Sequence, residues 1–232
     1  MLAVASGRPG WQIGVVVVSV LCGQLSVGWS NDALDASRDR AAGRVDKPIV
    51  VGDATRRAVA VAAVVSGVLA VAVSLLLGAT GWLHVIALVG AWSYNEPLKR
   101  TVWSVVPYAV SFGLLVAYAH PGAGGALVAA GALLGSAAHF VNVLPDLDAD
   151  AATGVRGLPH RLGARASVVI AMVLLVAAAV AVSLPLGPVG LAVPVATVGW
   201  PVVARRIGVS LFRAVQVVAL LDVALLVVTV TW

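Results

Sequence analysis

The pattern of apolar and polar residues divides the chain into long apolar runs separated by short connectors. A membrane-spanning helix needs roughly 20 mainly apolar residues, and eight runs approach this length. They cover about 12–33, 57–78, 80–95, 102–119, 124–146, 165–185, 188–204 and 209–231. The pattern predicts an all-α fold, a multi-span transmembrane helical bundle of about eight helices that forms a single domain over residues 1–232.

Charged residues are distributed unequally between the connectors. Three alternate connectors, 78–81, 121–125 and 185–188, contain no Lys, Arg, Asp or Glu. If eight helices alternate in direction, fourteen of the fifteen Lys and Arg residues lie on the other membrane face. Short basic loops stay cytoplasmic. We therefore expect an integral protein of the plasma membrane with its charged face in the cytoplasm.

The composition supports this interpretation. Hydrophobic residues make up 61% of the chain and charged residues 11%, whereas soluble domains have about 45–50% and 25%. The net charge of +5 is explained by membrane topology, so the sequence indicates a lipid bilayer as partner and no nucleic acid. Cys22 is the single cysteine, which excludes a disulfide framework and a cysteine metal site.

Two acidic segments repeat one pattern of five residues. The first segment has Asn31, Asp35, Asp39, Gly43 and Pro48. The second segment has Asn142, Asp146, Asp150, Gly154 and Pro159, each 111 residues later. The repeat predicts two related halves, about 12–119 and 124–231, with a site where the halves face each other.

The spacing within each segment indicates a cation site. Residues i and i+4 lie on one face of a helix, so the Asn and the two Asp side chains of each segment project together. Asp32 adds another oxygen ligand to the first segment. Crowded carboxylates need a positive partner at neutral pH, and oxygen ligands favour Mg²⁺ or Ca²⁺. Two acidic stripes ringed by Arg and Lys suit a diphosphate bridged by Mg²⁺. The alternative is that the acids only pair with neighbouring arginines in solvated loops.

Three segments resemble motifs of the UbiA superfamily of membrane prenyltransferases. The segment 31–40, Asn-Asp-Ala-Leu-Asp-Ala-Ser-Arg-Asp-Arg, resembles the NDxxDxxxDR motif. The segment 146–150, Asp-Leu-Asp-Ala-Asp, resembles the second aspartate motif, and 158–163 resembles the loop that follows it. The segment 94–100, Tyr-Asn-Glu-Pro-Leu-Lys-Arg, resembles the family segment between them. Order and membrane setting also match over most of the chain.

The resemblance implies a fold, a cofactor and a substrate. Family members are helical bundles, usually of nine membrane helices, whose aspartate motifs bind an isoprenyl diphosphate through Mg²⁺ at the cytoplasmic side. In the family a full helix precedes the helix with the first motif. Here only residues 1–10 precede it, so we expect that first family helix to be missing from this chain.

The resemblance also implies roles for individual residues. The implied metal ligands are Asn31, Asp32, Asp35, Asp39, Asn142, Asp146 and Asp150. The implied diphosphate-binding residues are Arg40, Lys99 and Arg100. The implied catalytic residues are Asp35, Asp39, Asp146, Asp150 and Tyr94.

An ionisation mechanism would need aromatic side chains near the aspartates, since these can stabilise a carbocation. Trp29, Trp92 and Tyr94 are candidates, although tryptophans also collect at membrane interfaces. For other polar residues inside the predicted spans, the sequence allows two roles: a part in the site, or hydrogen bonding within the bundle. These residues are Gln24, His139 and Asp222.

The predicted function is Mg²⁺-dependent transfer of an isoprenyl group from its diphosphate to a small lipophilic acceptor, aromatic or a quinone precursor. One alternative is a terpene cyclase with the same fold, in which a double bond of the substrate attacks the cation. Another is a membrane transporter without enzymatic activity. A transporter is expected to hold its ligands near the membrane midplane, whereas these acids lie at helix ends.

Overall fold

The computed structural model describes residues 2–183, 194–195, 197–200, 213, 215, 217–218 and 221. Every regular element in these ranges is helical, which confirms the all-α prediction. The α-helices are α1 Leu2–Ala5, α2 Gly10–Ala41, α3 Pro48–Val51, α4 Arg56–Leu75, α5 Gly81–Asn95, α6 Val106–Ala119, α7 Gly125–Val143, α8 Leu147–Ala152 and α9 Leu158–Ser183. Short 3₁₀ turns occupy Gly78–Thr80, Leu98–Arg100 and Leu144–Asp146.

The first six predicted spans correspond to α2, α4, α5, α6, α7 and α9. Among the residues that the structure describes, four helical stretches are long and apolar enough to cross a membrane: Gly10–Ala41, Arg56–Leu75, Gly125–Ala152 and Leu158–Ser183. The predicted spans 188–204 and 209–231 lie largely outside the described residues, and so does Asp222. Within the described part of the chain, only the four residues of α1 form a helix before α2.

Helix α2 is longer than the apolar pattern predicts. The apolar run ends near residue 33, but the helix continues through the first acidic segment to Ala41. No Pro or Gly interrupts this stretch. The helix ends next to Gly43, which has a φ of +66°, a conformation that costs glycine little and other residues more. The acidic stripe is therefore a direct extension of a long membrane helix.

Helices α2 and α4 pack closely through small residues. The buried positions follow the spacing of one helix face. Where the two helices meet, they include Ser26 on α2 and Ala63 and Gly67 on α4, and a Cβ atom at Gly67 would lie 2.9 Å from Ser26 Oγ. Ser26 Oγ donates a hydrogen bond of 2.6 Å to the Ala63 carbonyl. Small residues and hydroxyl–carbonyl bonds are the means by which helices associate in lipid.

The large aliphatic residues of α4 point away from this contact. Val61, Val64, Val65, Val68 and Leu69 are all about half exposed or more. A soluble protein would bury such a continuous apolar face, whereas a bilayer covers it. This distribution, with small residues inside and large apolar residues outside, is that of an integral membrane protein.

Helix α7 forms the centre of the second half of the described structure, with α6 on one side and α9 on the other. Its buried residues include Leu134 and Phe140, which share a core with Leu175 and Val182 of α9. Gly135 lets α6 approach closely. A Cβ atom at this position would lie 2.6 Å from both the Phe112 Cβ and the Tyr108 carbonyl oxygen.

We expect Gly135→Ala to destabilise the protein, because the added methyl group would force α6 and α7 apart. Overpacking of this kind costs about 1–3 kcal/mol, and each kcal/mol lowers the melting temperature of a chain of this size by roughly 2–4 °C. The measurement is thermal unfolding in detergent. Gly14→Ala is the matched control, since a Cβ atom there meets nothing within 4 Å. Equal melting temperatures for the two variants would contradict the close α6–α7 contact.

Candidate active site

One cavity of about 440 Å³ opens where α2 ends, at the same end of the bundle as the α5–α6 connector and the α7–α8 junction. The cavity has a charged mouth and a mainly apolar interior. The mouth is lined by Asn31, Asp35, Arg38, Lys99, Asn142, Asp146 and Asp150. The interior is lined by residues that include Gln24, Val27, Ala91, Tyr94, Tyr108, Ser111, Phe112 and Leu115. Both acidic segments therefore contribute to one site.

The first acidic segment reaches the cavity through part of its stripe. Asn31 and Asp35 lie one turn apart on α2, and both line the mouth. Asp32 does not line the cavity and instead accepts a hydrogen bond of 2.7 Å from Lys47 Nζ. Asp39 lies one turn beyond Asp35, also outside the lining. The helical spacing thus brings together two of the four oxygen ligands predicted from this segment.

The second acidic segment is not one continuous α-helix as its i, i+4 spacing predicted. Asn142 lies in α7, Asp146 in the 3₁₀ turn Leu144–Asp146, and Asp150 in α8. Pro145 has no N–H group and its ring clashes with the preceding turn, so it interrupts α-helical hydrogen bonding. All three side chains still line the cavity, because the tight turn keeps the two helical pieces on the same side.

The central interaction of the mouth is a buried ion pair between Asp35 and Lys99. Lys99 Nζ lies 2.6 and 2.9 Å from the two Asp35 carboxylate oxygens and 3.5 Å from Asn31 Oδ1. The two residues are 7% and 5% exposed. Burial lowers the pKa of Lys99, while the hydrogen bond to Asp35 acts in the opposite direction. The ion pair connects α2 to the 3₁₀ turn Leu98–Arg100.

Residues in the second half of the chain hold the turn that carries Lys99 in place. A Cβ atom at Gly157 would lie 2.6 Å from the Lys99 carbonyl oxygen, so the two backbones approach as closely as glycine allows. The neighbouring Leu158 N–H donates a hydrogen bond of 2.9 Å to Ser104 Oγ. The loop after the second acidic segment therefore supports the position of Lys99.

Arg38 joins the two acidic segments and was not among the predicted site residues. Its Nη2 lies 2.6 Å from Asp35 Oδ2, and its Nη1 lies 3.9 Å from Asp150 Oδ1. The i, i+3 spacing from Asp35 was a signal for the first contact. The second contact depends on how α2 packs against α8, which the spacing does not report.

Two further basic groups contact the second segment. Arg44 Nη1 lies 3.4 Å from Asp146 Oδ1, while its Nε lies 3.0 Å from Asp46 Oδ1. His160 Nε2 lies 3.5 Å from Asp150 Oδ2. Neither residue was predicted. Arg44 lies in a loop, and its contact with Asp146 joins residues 102 positions apart in the sequence.

Two predicted diphosphate ligands lie outside the cavity lining. Arg40 Nη2 donates a hydrogen bond of 3.4 Å to the Ile49 carbonyl. Arg100 lies 3.8 Å from Glu96, and both side chains are about half exposed. Among the three predicted basic residues, the structure places Lys99 in the mouth.

An aromatic wall lies beneath the charged mouth. The rings of Tyr94 and Tyr108 meet edge to face at 5.0 Å, and Phe112 lies 6.2 Å from Tyr108. His139 is buried behind both tyrosines, with ring centroids 5.5 and 5.0 Å away, and its Nε2 is 3.0 Å from Ser104 Oγ. Tyr94 was predicted, whereas Tyr108 and Phe112 were not, because nothing in the sequence distinguishes them from lipid-facing aromatics.

The two candidate tryptophans do not line the cavity. Trp92 is 39% exposed. Its indole packs against Gly67, where an added Cβ atom would lie only 2.5 Å from the nearest ring atom. Trp92 therefore packs against α4 at the lipid-facing surface. Gln24 does line the cavity, near its deep end.

The oxygen atoms that line the mouth are of the kind that Mg²⁺ binds in proteins. Carboxylates and amides are hard ligands, and Mg²⁺ usually takes one or two carboxylates together with water and substrate phosphates. Over the described ranges no three Asp, Glu, His or Cys side chains converge as a ready-made metal site.

The family is established by a sequence model. A model of the UbiA prenyltransferase family matches residues 1–223, and the chain belongs to that family. This confirms the resemblance found in the motifs. A comparison of the sequence with curated proteins gives no match.

Solved structures confirm the fold. The structure of a UbiA homolog from Archaeoglobus fulgidus bound to GPP and Mg²⁺ has a TM-score of 0.75 and 14% identity, and the match covers 100% of this chain and 94% of that one. A structure of a UbiA homolog from the same organism bound to DMAPP and Mg²⁺ has a TM-score of 0.73 and 15% identity, covering 99% and 93%. At such identities the likeness concerns the fold alone.

We expect Lys99→Met to lower stability, because it removes the partner of a buried carboxylate. Breaking a buried ion pair costs about 3–5 kcal/mol, and the low end applies here since Arg38 remains beside Asp35. Arg100→Met is the control, because its half-exposed pair with Glu96 contributes less than about 1 kcal/mol. Thermal unfolding in detergent distinguishes the two variants. A Lys99→Met protein as stable as Arg100→Met would show that the buried pair does not hold the mouth together.

Proposed function

We propose that the protein transfers an isoprenyl group from an isoprenyl diphosphate to a small lipophilic acceptor, aromatic or a quinone precursor, with Mg²⁺ as cofactor. The observation that supports this most directly is the two-part cavity. Its mouth combines hard oxygen ligands with cations, and its interior is aromatic and apolar. A molecule that matches both parts has a diphosphate head and a hydrocarbon chain. Membership of a prenyltransferase family agrees with this match.

In this proposal the charged mouth binds the head group. Asn31, Asp35, Asn142, Asp146 and Asp150 would hold Mg²⁺, and bound Mg²⁺ supplies positive charge that stabilises the leaving diphosphate. Lys99 and Arg38 line the same mouth and can donate charge-assisted hydrogen bonds to phosphate oxygens. Asp32, Asp39, Arg40 and Arg100 lie outside the lining, so in this proposal their effect is indirect.

The aromatic wall serves the reaction step. The allylic carbon–oxygen bond breaks, and its electron pair leaves with the diphosphate. The faces of Tyr94, Tyr108 and Phe112 then stabilise the carbocation through cation–π contacts, and the apolar lining keeps water away from it. The acceptor forms a bond to the cationic carbon and loses a proton.

The terpene cyclase is the second candidate function, and the same aromatic wall favours it. The two functions differ in whether a second molecule enters the cavity. Incubation with an isoprenyl diphosphate and no acceptor distinguishes them, since a cyclic hydrocarbon would be formed only by a cyclase. The transporter alternative fits less well, because the polar groups gather at one end of the helices and not halfway along them.

The location of the site is also part of the proposal. The charge distribution in the sequence supports a plasma-membrane protein whose acidic end faces the cytoplasm, by the rule that short basic loops remain inside. Water-soluble Mg²⁺ and the diphosphate head would then enter from the cytoplasm, while the chain and a lipophilic acceptor would lie within the bilayer.

We expect geranylgeranyl diphosphate to raise the melting temperature in detergent, and only in the presence of Mg²⁺. A ligand at a hundred times its dissociation constant stabilises the folded state by about 2.7 kcal/mol, or roughly 5–10 °C here. Asp146→Asn should abolish most of the shift. Asp53→Asn is the matched control, since Asp53 is exposed outside the cavity. A shift that is independent of Mg²⁺, or equal in both variants, would contradict the proposed site.

We expect Tyr108→Leu to reduce kcat, because it removes one aromatic face from the wall. A cation–π contact in a dry site stabilises a cation by about 2 kcal/mol, which corresponds to roughly 30-fold in rate. Tyr108→Phe retains the ring and should keep most of the activity. Product formation from a labelled isoprenyl diphosphate measures both variants. If Phe and Leu are equally damaging, the hydroxyl group and not the ring is required.

A further inference from the structure

We propose that Arg38 is an internal counter-ion that keeps the mouth from binding Mg²⁺ alone, and that it moves from the carboxylates to the diphosphate when both ligands enter together. The inference rests on the proposed function. It assigns a binding role to a residue between the aspartates of the first segment and predicts the order in which ligands are bound.

The first observation is that each carboxylate of the mouth already has a basic side chain close to it. Asp35 pairs with Lys99 and Arg38, Asp150 lies near Arg38, and Asp146 pairs with Arg44. Within the described part of the chain, the three carboxylates thus lie close to Lys99, Arg38 and Arg44, and Arg44 also contacts Asp46. A divalent cation entering such a site must displace basic side chains, and an anion entering alone must displace carboxylates. Neither ligand alone gains the full electrostatic energy of the site.

The second observation concerns the hydrogen-bonding state of Arg38. Its guanidinium is mostly buried, with the side chain 19% exposed. Its Nε and Nη1 atoms have no hydrogen-bond partner among the described residues, and Nη1 is 3.9 Å from Asp150. A buried unsatisfied donor is costly. Because Arg38 lines the cavity, phosphate oxygens can satisfy these donors, and a guanidinium fork suits them well.

These two observations predict an exchange of partners. When diphosphate enters with Mg²⁺, the guanidinium gains oxygen acceptors, and the carboxylate oxygens of Asp35 and Asp150 become available to the metal. The total charge of the mouth changes little, because both signs arrive together. Binding of metal and diphosphate should therefore be strongly cooperative, and Arg38 should be a cause of that cooperativity.

The experiment measures binding of Mn²⁺, a paramagnetic substitute for Mg²⁺, to the full chain in detergent by the loss of its free-ion EPR signal. Each variant is titrated with Mn²⁺ alone and with Mn²⁺ plus geranyl diphosphate. We expect Arg38→Gln to bind Mn²⁺ alone about tenfold more tightly than the wild type, the effect of losing one charge-assisted contact. We also expect it to lose most of the gain that geranyl diphosphate gives the wild type.

Arg57→Gln is the matched control, because it removes the same charge from an exposed position in the first turn of α4. It should bind like the wild type in both titrations. Arg38→Lys provides a second variant, in case the glutamine protein does not fold. Lysine keeps the positive charge but lacks the planar guanidinium with its paired N–H donors. The affinity of this variant for Mn²⁺ alone should therefore rise less than that of Arg38→Gln.

The outcomes separate the inference from the proposed function. If Arg38→Gln and Arg38→Lys bind Mn²⁺ alone no more tightly than Arg57→Gln, the counter-ion role is wrong. If the wild type shows no gain from geranyl diphosphate, the proposed substrate is wrong, and tighter binding of Mn²⁺ alone by the Arg38 variants still supports the counter-ion role.

Discussion

The buried pairing of Asp35 with Lys99 is the interaction on which the rest of the mouth depends. It brings a carboxylate at the end of a long membrane helix into contact with a turn 64 residues later, and both groups are almost inaccessible to water. Charges buried to this extent persist only when paired. The pair therefore fixes the relative position of α2 and the α5–α6 connector, and the aromatic wall, whose residues lie on α5 and α6, is held at a defined distance below the acids.

Much of the architecture could be predicted because lipid imposes a simple pattern on a sequence. Long apolar runs predicted the helices α2, α4 and α7 to within a few residues at most boundaries, and the 111-residue repeat directed attention to Asp35 and Asp146, which both line the cavity. The apolar run alone ended near residue 33, whereas the i, i+4 spacing of Asn31, Asp35 and Asp39 placed that stripe on a helix, as the structure shows. The break at Pro145 was missed because the spacing of Asn142, Asp146 and Asp150 was given more weight than the proline between them.

The composition of the site was harder to predict than its location. Arg38 and Arg44 belong to it through contacts with Asp150 and Asp146, far away in the sequence, and Tyr108 through its contacts with Tyr94 and His139. No local pattern records such contacts. Arg40 and Arg100 were favoured by their place in motifs, yet their side chains turn to the Ile49 carbonyl and to Glu96. The alternative that the acids only pair with arginines in solvated loops describes Asp46, which is exposed and pairs with Arg44, but not the buried Asp35.

The close approach of Gly157 to the Lys99 carbonyl has a mechanical consequence. The loop that follows the second acidic segment and the turn that holds the lysine meet backbone to backbone, with the Leu158–Ser104 hydrogen bond beside them. Neither segment can be displaced by much without pushing the other. An opening of the cavity that moved this loop would pull the lysine away from its carboxylate, so that widening the entrance and loosening the grip on an anionic head group would be one event.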